Sequence, residues 1–131
     1  MTIPTNEGFA EMAKHATGTG SPAAFTRIAV GIGTAPGADG DTLGSEVTDS
    51  GLARAVAGTI STVQTTVAND TGSWVHVFTA TGTKAITEAG IFNAASPSAS
   101  DMLIVGTVSP TASMVSGDTL TLTMKCQFKA D

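Results

Sequence analysis

From Asp118 to Phe128 polar and apolar residues alternate without a break. Leu120, Leu122, Met124, Cys126 and Phe128 fall on one side, and Thr119, Thr121, Thr123, Lys125 and Gln127 on the other. Side chains alternate across a strand with period two, so this stretch predicts a half-buried β-strand with a dry and a wet face. Ser116-Gly117-Asp118 supplies the turn before it. A strand of that length needs neighbours for its backbone groups, and the rest of the chain offers them.

Upstream, Phe25-Thr-Arg-Ile-Ala-Val30 reads as a first strand after a Gly/Ser/Pro linker over 17–23. Two strand-like runs follow at 52–57 and 59–68, broken at Gly58, the second rich in the Thr and Val that suit a pleated surface. The turn Asn69-Asp-Thr-Gly-Ser73 leads to a return strand over 73–80. There Trp74, His76 and Phe78 share one face and Val75, Val77 and Thr79 the other, which predicts a central strand or one at a subunit contact. The strand over 84–93 places Ile86, Glu88, Gly90 and Phe92 on one side, and Gly90 inside it predicts a bulge or a close backbone approach. A flexible tip over 94–100 follows. The nearly continuous apolar run over 101–108 predicts a strand buried on both faces and ended by Ser109-Pro110.

One segment has a different period. Phe9, Met12, Ala13 and Ala16 recur at helical spacing, Thr5 or Asn6 can cap, Glu7 sits in the first turn and Gly18 follows the last. These signals predict a short helix over 6–16 whose apolar stripe packs on a sheet. Residues 1–5 read as an N-terminal arm that packs little internally. The expected architecture is one domain over 1–131: arm, helix, and a mainly β fold over 25–129. That fold is an antiparallel β-sandwich-like domain of about seven strands.

Composition narrows the function. Charged residues are 13% of the chain, against about 25% in an average domain, so the wet surface must be largely Thr, Ser, Asn and Gly. Such a surface suits a particle-bound protein better than a free enzyme. The net charge of −5 argues against a nucleic-acid partner, whose footprint is a basic patch. No apolar run reaches the roughly 18 residues that would span a membrane, and the N-terminus lacks the basic-then-apolar pattern of a signal peptide. The single Cys126 excludes an intrachain disulfide and reads as a small buried hydrophobe.

The candidate chemistry is thin. Gly31-Ile-Gly33 lacks the helix that a dinucleotide loop must open, because Thr34-Ala-Pro-Gly-Ala-Asp-Gly-Asp41 follows it. The acids Asp39, Asp41, Glu46 and Asp49 fail the calcium-loop pattern, since Leu43 takes a ligand position and Ser50 the place of the closing Glu. His76 reads as structural, with His15 far off on the helix. Glu88 reads as an acid accepting hydrogen bonds from Arg54 or from backbone at a Gly90 bulge. With no nucleophile, carboxylate pair or metal cluster, the expectation is no enzyme and no cofactor.

Six stretches in order carry a resemblance. They are Phe25-Thr-Arg-Ile-Ala-Val-Gly-Ile-Gly-Thr34, Leu43-Gly-Ser-Glu-Val47, Gly51-Leu-Ala-Arg54, Ile86-Thr-Glu-Ala-Gly-Ile-Phe-Asn93, Met102-Leu103 and Gly117-Asp-Thr-Leu120. Together they resemble a family of small structural proteins of tailed bacteriophages, of head-decoration or tail-collar-fibre type. The resemblance implies a virion protein made in the host cytoplasm, with the major capsid protein or other virion proteins as partners and a small homo-oligomer, a trimer, as its state. Stopping at Asp131 without a shaft favours decoration of the capsid surface over a tail, collar or fibre role. A host-glycan-binding module is a weaker alternative, because Trp74 is the one Trp and lies mid-strand. The candidate partner contacts are Ile3, Pro4, Phe9 and Met12. The structural signature of the resemblance is Glu46, Arg54, Glu88, Gly90 and Phe92.

Overall fold

A computed structural model describes residues 2–96 and 101–130. The elements in chain order are β1 (Thr2–Pro4), α1 (Asn6–Thr17), β2 (Arg27–Gly31), β3 (Ala55–Val56), β4 (Thr59–Val63), β5 (Thr71–Thr79), β6 (Lys84–Phe92), β7 (Met102–Met114) and β8 (Thr119–Gln127). They form two antiparallel sheets, one ordered β1-β7-β6-β2-β3 and the other β4-β5-β8. The protein is thus a mainly β, sandwich-like fold with one N-terminal helix.

The apolar faces meet between the sheets. Ile28, Val30, Ile86, Ile91 and Ile104 of the larger sheet pack with Trp74, Phe78 and Met124 of the smaller one. The larger sheet also buries its outer face, where Ala29, Phe92, Met102 and Val105 pack with Leu43 from the loop over 32–54. This double burial explains the unbroken apolar run at the start of β7, whose residues 102–106 are all inaccessible. In the smaller sheet β5 is central, with β4 and β8 beside it, as its two apolar faces predict. His76 packs edge-on against Phe78, their ring centroids 4.6 Å apart.

Helix α1 spans the predicted residues and begins at Thr5, whose hydroxyl accepts from the Gly8 N–H at 2.9 Å. Gly18 closes it in the left-handed conformation with its N–H on the Lys14 carbonyl. Its orientation corrects the sequence reading. The helix meets β7 through Gly8, where a Cβ would lie 2.6 Å from the Leu103 carbonyl oxygen. Gly8 and Glu11 are buried, Met12 is partly buried, and Phe9, Ala13 and Ala16 face outward. Close backbone approach, which only glycine permits, outweighs burial of the bulkier stripe.

The arm is also corrected. Thr2, Ile3 and Pro4 pair with Gly106, Val105 and Ile104 of β7, and Ile3 packs on the outer cluster. A row of unpaired edge groups on β7 binds the arm within its own subunit, so the arm is not free.

Several strand limits differ from expectation. The run over 52–57 yields only the two-residue β3, because Gly51 takes φ 75° and turns Leu52 into the core. β4 ends at Val63, five residues short, since the following loop is captured by Asp70. β7 does not stop at Ser109-Pro110. It continues to Met114, and Pro110 lies where the β6–β7 register slips between Glu88↔Thr107 and Ile86↔Ala112, a bulge that asks no ladder bond of it. β8 ends at Gln127, leaving Phe128 outside the dry face and 48% exposed. Of the tip predicted over 94–100, residues 97–100 lie outside the described residues.

Met124 is 2% exposed, whereas Leu122 and Cys126 are half-buried. Met124→Ala should therefore cost about 2–5 kcal/mol, and Leu122→Ala less. Thr121→Ala on the wet face should change stability by under about 0.5 kcal/mol. Chemical denaturation of the three variants checks this, and equal losses at Met124 and Thr121 would reverse the assignment of faces.

Candidate functional site

Two regions gather the residues singled out by sequence: a buried polar cluster on the outer face of the larger sheet, and an exposed apolar surface beside α1.

The cluster begins at Glu88, in mid-β6 and fully inaccessible. Its carboxylate accepts from the Gly44 N–H at 2.9 Å and the Ser45 N–H at 2.7 Å. The donors are thus backbone groups of the 32–54 loop, and neither Arg54 nor a Gly90 bulge supplies them. The Glu88 side chain has room because it faces Gly31, where a Cβ would sit 2.2 Å from the carboxylate oxygen. The loop then runs along β2, with Ile32 N–H on the Ser45 carbonyl and Val47 N–H on the Val30 carbonyl. That course delivers Glu46 to Arg54, at 2.5 Å, with side chains only 11% and 4% exposed. Arg54 also donates to the Ala94 carbonyl at 2.9 Å, and its guanidinium lies 3.7 Å over the Phe92 ring. Gly90 completes the cluster by close approach, since a Cβ there would lie 2.9 Å from the Met102 sulfur and 3.0 Å from Phe92. The β6 register slips fall elsewhere, so Gly90 is not itself a bulge.

All five signature residues therefore meet in one place, and each is committed internally. The arrangement can fix a loop on a sheet. The remaining loop acids are dispersed: Asp39 accepts from Asn6, Asp49 pairs with Lys84 at 3.0 Å, and Asp41 stands exposed. Among the described residues no three His, Cys, Asp or Glu side chains converge as a metal site would require.

A second buried acid escaped the sequence reading. Asp70 accepts from the N–H groups of Thr65, Thr66 and Val67 at 2.8, 2.9 and 3.1 Å, from the Thr71 hydroxyl at 2.9 Å and from Gln127 at 2.8 Å. Burial alone would raise its carboxyl. The bonds from Gln127, Thr65, Thr66 and Val67 outweigh that and hold it well below the usual carboxylate range. The turn pattern around Asn69-Asp70 was visible in sequence, but the capture of three N–H groups was not.

The exposed surface has three apolar projections: Phe9 at 58%, Phe128 at 48% and Ile60 at 45% exposure. Between α1 and the smaller sheet runs a cleft of about 440 Å3, lined by Met12, Phe25, Ile60, Trp74, Leu103 and Phe128. Phe128 also borders a second cleft of about 340 Å3 that includes Pro4, Phe9 and Cys126. Of the predicted contacts, Phe9, Met12 and Pro4 thus lie along one apolar tract, while Ile3 points into the outer core. Trp74 is nearly inaccessible and donates its indole N–H to the Phe25 carbonyl at 2.7 Å, so its face is not offered to a sugar ring. Cys126 lies half-buried beside the core, and burial raises its thiol.

Two outcomes follow from these acids. Arg54→Ala strands a buried Glu46 and should cost about 3–5 kcal/mol, much of it recovered when Glu46→Leu is paired with Arg54→Met. A loss below about 1 kcal/mol in urea titration would remove the structural role. For Asp70 the native pKa is depressed, so its stabilisation is present above the unfolded value of about 3.9 and is lost as the pH falls below it. Thermal melts between pH 7 and 2 should show Asp70→Asn less stable at neutral pH and less sensitive to acid than the parent. Parallel acid profiles would contradict this.

No protein-family model and no curated protein matches the sequence.

Proposed function

We propose that this chain is a non-enzymatic structural protein of a tailed-phage virion, decorating the capsid surface. The observation that carries this reading is the pairing of a polar cluster spent wholly inside the fold with an apolar tract left outside it. Glu46, Arg54, Glu88, Gly90 and Phe92, the residues of the resemblance, hold a loop on a sheet through contacts among themselves and with backbone. Phe9, Ile60 and Phe128 project from the fold, and the rest of its surface carries little charge. A cement protein needs this combination: each contact with the shell is small, and the symmetry of the shell and of a trimeric or other small oligomer multiplies it. The partners are the major capsid protein or other virion proteins.

Immunogold labelling of virions from the strain that carries the gene tests this. Label on heads is the expected result. Label confined to tails moves the protein to a tail, collar or fibre role, and virions without label overturn the virion reading. Phe9→Asp, on the exposed side of α1, should lower head occupancy several-fold with the fold unchanged by circular dichroism; undiminished occupancy would clear Phe9 of the contact.

A further inference from the structure

Strand β8 forms one edge of the smaller sheet, and the direction of its backbone groups can be fixed. In an antiparallel ladder each residue sends both its N–H and its C=O to the same neighbour, and the next residue sends both the opposite way. Two bonds flanking the β5–β8 ladder set this parity. Phe128 N–H donates to the Asp70 carbonyl and Ala80 N–H to the Asp118 carbonyl, each at 2.8 Å. Both pairs continue the register in which Trp74 faces Met124 and His76 faces Leu122. Leu120, Leu122, Met124 and Cys126 therefore spend their backbone groups on β5. Thr119, Thr121, Thr123, Lys125 and Gln127 turn theirs to the open side. Among the described residues, β8 pairs with β5 alone.

An open edge of nine residues is unusual to leave unguarded. The other edges here are short: three residues in β1, two in β3 and five in β4. β8 has no proline and a single charge, Lys125.

We propose that two copies of this chain pair through β8, antiparallel about a twofold axis at Thr123, joining two three-stranded sheets into one of six. The sequence of β8 is complementary to itself in that register. Thr123 meets its own copy, Thr121 meets Lys125 and Thr119 meets Gln127, so every outward-turned backbone group finds a match. On the dry side Leu122 faces Met124 and Leu120 faces Cys126, which extends the apolar layer across the joint. The two Lys125 residues stand four positions apart, about 14 Å, and do not oppose each other. An unrelated extended chain would satisfy the backbone without these side-chain matches. The pairing is independent of the virion reading, and it gives twofold units where the resemblance implies a trimer.

The test is the mass of the full chain by light scattering over a range of concentrations, with three variants. The parent should be a dimer. Thr123→Pro removes an N–H that bonds nothing within the subunit and should give a folded monomer. Thr123→Lys sets like charges face to face and should weaken the dimer at least tenfold at low salt, less at high salt. Thr123→Cys places two thiols across the axis with Cα atoms about 5.5 Å apart, within disulfide reach, and should cross-link under mild oxidation. Thr119→Cys, whose copy lies about 27 Å away, should not; nor should the parent, whose Cys126 faces Leu120. Should Thr123→Pro not fold, the lysine and cysteine variants decide. A monomeric parent overturns the proposal and leaves the edge to a different chain. A dimer that survives Thr123→Lys, or that cross-links equally at Thr119, overturns it in favour of another surface.

Discussion

A carboxylate in the middle of a sheet cannot be left without donors, and in this fold Glu88 makes that demand. It is fully inaccessible, and the two N–H groups that answer it belong to Gly44 and Ser45, more than forty residues away in the chain. Meeting the demand fixes the course of the 32–54 loop. The loop must pass beside Gly31, where no side chain blocks it, and in doing so it seats Leu43 on the outer cluster and brings Glu46 to Arg54. Arg54 in turn lies on Phe92, the bulkiest residue of that outer face. One acid thereby decides how the second face of the larger sheet is covered.

The covering explains why that sheet is apolar on both sides while the smaller one is not. β4 is exposed along almost its whole length, and β8 has a wet face and reads as alternating sequence. The first half of β7 has none and reads as a continuous apolar run. The smaller sheet contributes its dry face to the shared core through Trp74, Phe78 and Met124, and Trp74 is pinned by its bond to Phe25. Charge is concentrated where it has a task. Glu46, Arg54, Glu88 and Asp70 are buried or nearly so and hydrogen-bonded to named partners, whereas the part-buried Lys84 and the exposed Asp49 make a surface pair of little energetic consequence.

Much of this was legible in the sequence, because it depends on periodicity and caps. The alternation of β8, the Thr5 cap, the Gly18 stop and the central place of β5 all follow from local rules. The set Glu46, Arg54, Glu88, Gly90 and Phe92 follows from the resemblance alone and from no local rule, and the sequence does not show their actual partners. Most of the failures share a physical cause: they were decided by a contact between segments remote in sequence. Periodicity favours Phe9 as the inward residue, but the approach of α1 to β7 favours Gly8. Proline chemistry favours an end at Pro110, but a bulge opposite β6 absorbs it. The arm reads as free because nothing in residues 1–5 announces that β7 has an edge to offer. Asp70 reads as a turn residue, and its five donors come partly from the far end of β8.

Strands β1 and β8, at opposite ends of the element order, lie close together. Thr2 and Pro4 line the same cleft as Gln127 and Phe128, so the first and last strands end at one corner of the molecule. Anything fused to either end would emerge from that corner, and the opposite end of the sandwich would stay clear.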